Sequence, residues 1–230
     1  MKRRALVLTL LHTSPRHVDV FERLFARLTG GDISQDQPEI RLSHLVREDL
    51  LQRAIVSGVL PEDTRARAVR ILHEATASSD AVLCTCSTLG PAADEANTKT
   101  EKPVLRVDRP MAAEAARAGR SIAVLATLKC TLQPTCDLIA DEVRHVAEKA
   151  DIAPVLVEGA WDAFEAGDTN KMNQLIADSI LLAQQAGANV IVLAQASMVD
   201  ALDGMDMSVP VLTSPAGGLA AAIAAVRAQA

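Results

Sequence analysis

The chain has 230 residues, of which 49% are hydrophobic and 23% charged, so it can bury a full core as one large domain or two smaller ones. Its net charge of −6 and the absence of a basic patch argue against binding to a nucleic acid backbone. An aromatic content of 2%, with no Tyr, argues against base stacking as well.

Short apolar runs alternate with longer segments of helical periodicity along the whole chain. The runs, predicted as strands, are Ala5–Leu11, Ile40–Val46, Ala81–Cys86, Val104–Val107, Ile122–Leu128, Pro154–Val157, Val190–Ala194 and Val209–Leu212. The predicted helices include Val18–Leu28, Pro61–Ala77, Met111–Ala118, Leu132–Ala150, Asn170–Ala186 and Pro215–Ala228. Strands that are apolar throughout and separated by helices predict a mainly parallel α/β sheet covered on both faces.

The chain contains an internal repeat. Residues 80–89 align with residues 189–198 at an offset of 109, and residues 7–14 align with residues 124–131 at an offset of 117. Chance similarity between Ala- and Val-rich strands is the alternative explanation. Duplication predicts two pseudosymmetric Rossmann-like lobes of four strands each, 1–118 and 119–230, with a C-terminal helix free to cross over.

Ligands of open α/β sheets bind at the carboxyl ends of the strands, so the residues after the strand ends are candidates for one cleft between the lobes. They are His12, Thr13 and Ser14; Cys86, Ser87 and Thr88; Lys129, Cys130 and Thr131; and Gln195 and Ser197. Hydroxyl and N–H groups predominate, which suits a small carboxylate. Lys129 and His12, which the repeat aligns, are expected at the cleft mouth. The alternatives are helix caps for the hydroxyl residues and exposed loop positions for Lys129 and His12.

Cys86 stands at a predicted strand-to-helix corner, followed by Ser87, Thr88 and Gly90. Backbone N–H groups and a helix N-terminus at such a corner attract anions and lower the pKa of a thiol. Cys86 is therefore a candidate nucleophile or base, with a pKa expected below the free value of about 8.5. The alternative is an inert core thiol.

The four cysteines, Cys84, Cys86, Cys130 and Cys136, are too few for a disulfide framework, and their spacing does not fit a metal site. The apolar run Ala5–Leu11 is short for a signal peptide and no cleavage site follows it. No run of 18 apolar residues occurs. A soluble, cytoplasmic protein is expected.

Three of these segments together resemble the aspartate/glutamate racemase superfamily, which includes hydantoin racemases, maleate isomerases and arylmalonate decarboxylases. Cys86-Ser87-Thr88 resembles its Cys-Asn-Thr motif, and residues 124–127 with Thr131 resemble its substrate-binding Thr loop, which adds Thr127 to the candidates. The segment 190–197 resembles the strand that carries a second catalytic cysteine. The resemblance implies two α/β lobes, no cofactor, and a substrate carboxylate held by backbone N–H and Ser/Thr groups between the lobes.

The sequence departs from that pattern at Gln195, which stands where the second cysteine is expected. A glutamine side chain cannot serve as a general acid or base near neutral pH. Three interpretations stay open: Cys86 acts alone, Cys130 serves as a displaced second thiol, or the protein binds its ligand without reaction. The resulting expectation is a cofactor-independent isomerase or lyase acting on a small carboxylic acid, with a non-catalytic carboxylate-binding protein as the alternative. The expected partner is a small molecule, with no nucleic acid, membrane or metal, and with room for a homo-oligomer.

Overall fold

The computed structural model describes residues 4–30, 38–146 and 149–230. Its strands are β1 (Leu6–His12), β2 (Ile40–Val46), β3 (Ala81–Cys84), β4 (Val104–Arg106), β5 (Ser121–Ala126), β6 (Asp151–Leu156), β7 (Val190–Leu193) and β8 (Val211–Thr213). Each predicted run overlaps one of these strands. The largest difference is at β6, which begins three residues before the predicted run, whereas the run ending at Cys86 continues two residues past β3.

The α-helices of the described residues are α1 (Arg16–Thr29), α2 (Glu48–Ser57), α3 (Glu62–Ala75), α4 (Gly90–Asn97), α5 (Arg109–Ala118), α6 (Lys129–His145), α7 (Ala160–Glu165), α8 (Thr169–Gln185) and α9 (Pro215–Arg227). Short 3-10 helices cover Ser87–Leu89 and Ala196–Leu202. The apolar periodicity found six of these helices but not α2, α4 and α7. No helix in the described ranges combines the length and apolar character needed to span a bilayer.

The strands form two four-stranded sheets, with strand orders β2-β1-β3-β4 and β6-β5-β7-β8, and every pairing is parallel. The inner strands β3 and β7 are buried along their whole length, which explains their continuous apolar runs. The edge strands β2 and β6 are partly exposed, and β6 tolerates Pro154 because an edge strand need not donate every backbone hydrogen bond. The predicted α/β class, with two parallel four-stranded sheets flanked by helices, is confirmed.

The described chain divides into two compact units. The first comprises Met1–Val56, Leu60–Val107 and Pro215–Ala230, and the second Ser57–Val59 and Asp108–Ser214. The domain limits expected from the sequence, 1–118 and 119–230, remain a prediction. In the first unit α9 packs on β1, β3 and α1. A methyl group at Gly218 would collide with the carbonyl oxygen of Val107, so glycine is needed for this close approach.

Equivalent backbone hydrogen bonds recur in the two sheets. Asp80 N donates to Val7 O at 2.8 Å, and Asn189 N donates to Ser121 O at 2.8 Å. The Asp80 carboxylate accepts a hydrogen bond from Val7 N of β1 at 2.7 Å, and the Asn189 side-chain oxygen accepts one from Ser121 N of β5 at 3.3 Å. The offset of 109 between β3 and β7 therefore describes equivalent positions.

The predicted offset of 117 between β1 and β5 is wrong. Ala81 pairs with Leu8, and its equivalent Val190 pairs with Ile122, so the offset is 114. Apolar strands of similar composition can be slid along each other in sequence, whereas the hydrogen-bond register admits one alignment. As a consequence His12 and Lys129 are not equivalent positions.

Candidate active site

Cys86 lies two residues beyond the end of β3 and directly precedes the 3-10 helix Ser87–Leu89. Its backbone is extended, with φ −112° and ψ 114°, and its carbonyl oxygen accepts a bond from Leu89 N at 3.0 Å. Helix α4 follows at once from Gly90, where a side chain would collide with the buried guanidinium of Arg106. The thiol therefore stands at a tight strand-to-helix corner, as the sequence predicts.

Four neighbouring donors act to lower the pKa of Cys86: the Thr13 hydroxyl, the Thr88 backbone N–H and hydroxyl, and the Leu89 N–H, which also donates to the Cys86 carbonyl oxygen. These four donors favour the thiolate, but burial is the larger effect and raises the pKa of Cys86 above its ordinary value. The expected lowering of this pKa is therefore wrong. The sequence correctly indicates the donors, while the loss of solvation depends on what packs around the sulfur.

The neighbouring candidates of the first unit surround this sulfur to different degrees. Thr13, Ser87 and Thr88 are buried, and Thr13 and Thr88 contact the sulfur directly. Ser14 is half-buried in the turn between β1 and α1. Thr13, Ser87, Thr88 and Cys86 thus form one compact group at the carboxyl end of the sheet.

His12, the last residue of β1, is completely buried rather than placed at an exposed position. Its Nδ1 lies 2.9 Å from Thr85 Oγ1, and its Nε2 lies 2.9 Å from His44 Nδ1. Burial, reinforced by repulsion from His17 and His44, lowers the pKa of His12 to about 3. The ring is therefore neutral at physiological pH, and both of its nitrogens are engaged within the first unit.

Gln195 occupies the equivalent corner of the second unit. It lies two residues beyond β7, has an extended backbone with φ −126° and ψ 142°, and precedes the 3-10 helix Ala196–Leu202. Its Oε1 accepts bonds from the backbone N and the hydroxyl of Thr127, at 2.6 and 3.1 Å. Because Thr127 is equivalent to Thr13, the pair Thr127 and Gln195 corresponds to the pair Thr13 and Cys86.

The remaining candidates of the second unit lie on or near helices. Lys129 is exposed at the first position of α6, while Cys130 and Thr131 are buried in the same first turn. Cys130 is therefore a helix residue and not the end of the fifth strand. Ser197 is half-buried in the 3-10 helix after Gln195.

Cys136, farther along α6, is an unsuitable nucleophile. Burial, with a smaller contribution from Asp137, raises the pKa of the Cys136 thiol to about 11. Within the described ranges no cluster of three or more His, Cys, Asp or Glu side chains could hold a metal ion.

Sequence reasoning missed three residues that are linked to His12 by hydrogen bonds, directly for His44 and Thr85 and through His44 for Glu22. Glu22 lies on α1, His44 on β2 and Thr85 between the two cysteines of the corner. Thr85 could have been suspected from its place in the Cys-Thr-Cys segment. His44 and Glu22 carry no local signal, because their contact depends on the pairing of β2 with β1.

Comparison with known proteins agrees with this geometry. The sequence profile of Asp/Glu/hydantoin racemases matches residues 18–222. The chain belongs to this family. A search of curated proteins returned no match.

Several solved structures share the fold of this family member. An aspartate racemase from Picrophilus torridus superposes with a TM-score of 0.69 at 13% identity, covering 97% of this chain and 94% of that one. An aspartate racemase homologue from Pyrococcus horikoshii OT3 gives 0.68 at 13% identity, with 98% and 99% covered. An allantoin racemase from Pseudomonas fluorescens gives 0.59 at 15% identity, with 97% and 92% covered. At these identities the likeness concerns the fold.

Proposed function

We propose that this racemase-family chain is a cofactor-independent isomerase or lyase that acts on a small carboxylic acid, with Cys86 as its proton carrier. The supporting observation is the convergence of four hydrogen-bond donors on the Cys86 sulfur. Donors aimed at a buried sulfur stabilise a thiolate at the moment it forms, which an inert core thiol does not require. Thr13 and Thr88 supply the two hydroxyl donors.

The raised pKa of Cys86 keeps its thiol protonated in the empty protein, so the group is ready to donate a proton. In a decarboxylation the bond to the carboxyl carbon breaks, carbon dioxide leaves, and the electron pair left on carbon takes the proton of Cys86. In an isomerisation the thiol first loses its proton to water, and the thiolate then removes a proton from the carbon beside a carboxylate and later returns it. In a decarboxylation the proton passes once from sulfur to carbon, and the thiolate takes a new proton from water. In both reactions the surrounding donors stabilise the thiolate while it exists.

Gln195 makes symmetric two-base racemisation the less favoured reaction. Its Oε1 is occupied by Thr127, and its amide nitrogen can only donate hydrogen bonds. Gln195 can orient a carbonyl or carboxylate oxygen, but it has no group that could supply a second proton. A single thiol therefore predicts isotope exchange with retention, double-bond isomerisation or decarboxylation, in preference to complete inversion.

The test is incubation in deuterated water with a panel of amino acids, hydantoins, maleate and substituted malonates. Proton NMR and chiral chromatography would separate exchange with retention from exchange with inversion. We expect Cys86→Ser to abolish turnover. The matched control is Cys84→Ser, because Cys84 lies inside β3 with its thiol directed at the carbonyl of Cys86 at 3.6 Å. Full activity in Cys86→Ser would overturn the proposal.

The second candidate is a non-catalytic carboxylate-binding protein, and the observation that favours it is the missing thiol at Gln195. It predicts saturable binding of a panel member by calorimetry without exchange, isomerisation or decarboxylation. Binding in that case should survive Cys86→Ser within about 1 kcal/mol, because a hydroxyl replaces a thiol of similar size. The cytoplasmic location and any homo-oligomer stay predictions.

A further inference from the structure

A continuous chain of hydrogen bonds runs from the protein surface to the residue beside Cys86. His44 Nε2 lies 3.0 Å from Glu22 Oε1, and His44 Nδ1 lies 2.9 Å from His12 Nε2. His12 Nδ1 lies 2.9 Å from Thr85 Oγ1, which is also 2.9 Å from the carbonyl oxygen of Leu11. The Glu22 side chain is 53% exposed and that of His44 15%, so protons enter at that end.

The spacing of the two rings excludes an intervening ion or water. A separation of 2.9 Å between His12 Nε2 and His44 Nδ1 is that of a direct N–H···N hydrogen bond. One of the two nitrogens must therefore carry a hydrogen and the other must accept it. The protonation of the partly exposed His44 ring therefore decides which nitrogen of the buried His12 ring carries a hydrogen.

With Glu22 ionised and both histidines neutral, one assignment satisfies the three contacts made by the two rings, and it leaves the contact between Thr85 Oγ1 and Leu11 O without a hydrogen. A carboxylate only accepts, so His44 Nε2 carries the hydrogen and His44 Nδ1 is an acceptor. His12 Nε2 must then donate, which leaves His12 Nδ1 as an acceptor for the Thr85 hydroxyl. Any other arrangement places two acceptors or two donors against each other.

With one additional proton on His44, one different assignment satisfies the same contacts. The proton can only occupy His44 Nδ1, so His12 Nε2 becomes the acceptor. Neutral His12 then carries its hydrogen on Nδ1 and donates to Thr85, whose own hydrogen turns to the carbonyl oxygen of Leu11. The carbonyl can accept this second bond beside the one from Thr85 N at 3.0 Å, since it has two lone pairs.

We propose that Glu22, His44, His12 and Thr85 form a tautomer switch, in which uptake of one proton at the surface moves the hydrogen of buried His12 from Nε2 to Nδ1 and reverses the Thr85 hydroxyl. The two states differ by one proton taken from water, and His12 is uncharged in both. The switch acts on the Cys86 corner, because Thr85 precedes Cys86 and Thr13, which follows His12, donates to its sulfur. Glu22 and His44 are thus positioning residues.

Two titratable groups packed near His12, besides His44, are uncharged at neutral pH. Burial lowers the pKa of His17, which faces His12 from α1, to about 4, so it is neutral in the same range. Cys86 follows two residues after the neighbouring strand β3, and its raised pKa keeps it a neutral thiol. Helix α9, which also packs on β1, has Arg227 as its one ionisable side chain, at its far end.

The test is nitrogen-15 NMR of the histidine rings of the whole chain as a function of pH, which needs no substrate and is independent of the proposed function. In the wild type we expect the nitrogen-15 chemical shift of His12 Nε2 to change, as the pH falls, from that of a protonated ring nitrogen to that of an unprotonated one. The shift of His12 Nδ1 should change in the opposite direction. In Glu22→Gln the midpoint of this exchange should move to lower pH, because a negative charge beside His44 is removed. His145→Gln, at a 70% exposed side chain, should leave it unchanged.

Alkylation of Cys86, followed by peptide mass spectrometry, tests the link to the corner. The plot of log rate against pH should show an inflection at the midpoint of the His12 exchange in wild type and none in His44→Gln. A single His12 tautomer at all pH values, or a midpoint insensitive to Glu22→Gln, would overturn the switch even if His44→Gln failed to fold. A wild-type plot without inflection would overturn the action on Cys86 and leave the proposed proton-carrier role standing.

Discussion

Two buried histidines should make the stability of the first unit strongly dependent on pH between 7 and 5. Burial lowers the pKa of His12 to about 3 and that of His17 to about 4, from 6.5 in the unfolded chain. Because both values are lower in the folded state, the unfolded chain takes up protons first as the pH falls. The contribution of these two histidines to the free energy of unfolding is complete above about pH 6.5, and it is lost as the pH falls towards their pKa values in the folded protein.

The size of the effect follows from the same values. Integrating the difference in bound protons from pH 7 to pH 5 gives about 2 kcal/mol for each histidine and about 4 kcal/mol for both. Most carboxylates, with ordinary pKa values near about 4, stay ionised over this window. The change should be measured by urea unfolding followed by far-UV circular dichroism, because the single Trp, Trp161, lies in the second unit.

The variant His17→Leu isolates one half of this dependence. Neither ring nitrogen of His17 has a hydrogen-bond partner within the described residues, so the substitution removes a titrating group and no hydrogen bond. We expect the pH 7 to pH 5 loss to fall by about 2 kcal/mol. His145→Leu, at an exposed position, is the control and should leave the loss unchanged. An undiminished loss in His17→Leu would refute the argument that burial of this ring opposes its protonation.

Three further predictions concern single substitutions. Gly218→Ala should lower the free energy of unfolding by about 1–3 kcal/mol, because the added methyl group collides with Val107 O. Gly217, exposed on the same helix, is the control, and Gly217→Ala should raise that free energy by up to about 1 kcal/mol. Equal effects of the two substitutions in urea unfolding would contradict the close approach at Gly218. Asp80→Asn should cost about 1–3 kcal/mol in the same assay, because the carboxylate accepts from Val7 N at 2.7 Å and pairs with Arg4. Lys129→Ala should raise KM severalfold for an acidic substrate and less for a neutral analogue in steady-state assays, because Lys129 is expected at the cleft mouth, where its charge would attract a second carboxylate; equal changes for both would contradict this expectation.

Much of the fold could be read from the sequence because each strand is a continuous apolar run bounded by polar or small residues. β3 and β7 are buried over their whole length, so their composition is dictated by the core. The positions of Cys86 and Gln195 could be predicted for the same reason, since one such run ends at Cys86 and another ends directly before Gln195. Helix α7, with six residues, was missed because so short a segment gives little periodicity.

What the sequence by itself determined is the order of strands and helices, the parallel α/β class and the two corners, because these depend on local patterns of apolar and small residues. The tertiary structure alone decided the partners of His12, the offset of 114 between β1 and β5, and the direction of the Cys86 pKa shift. The partners and the offset depend on strand register, which brings together residues as distant in sequence as His12 and Thr85. The pKa depends on desolvation, which is set by all the atoms that surround the sulfur and not by its neighbours along the chain.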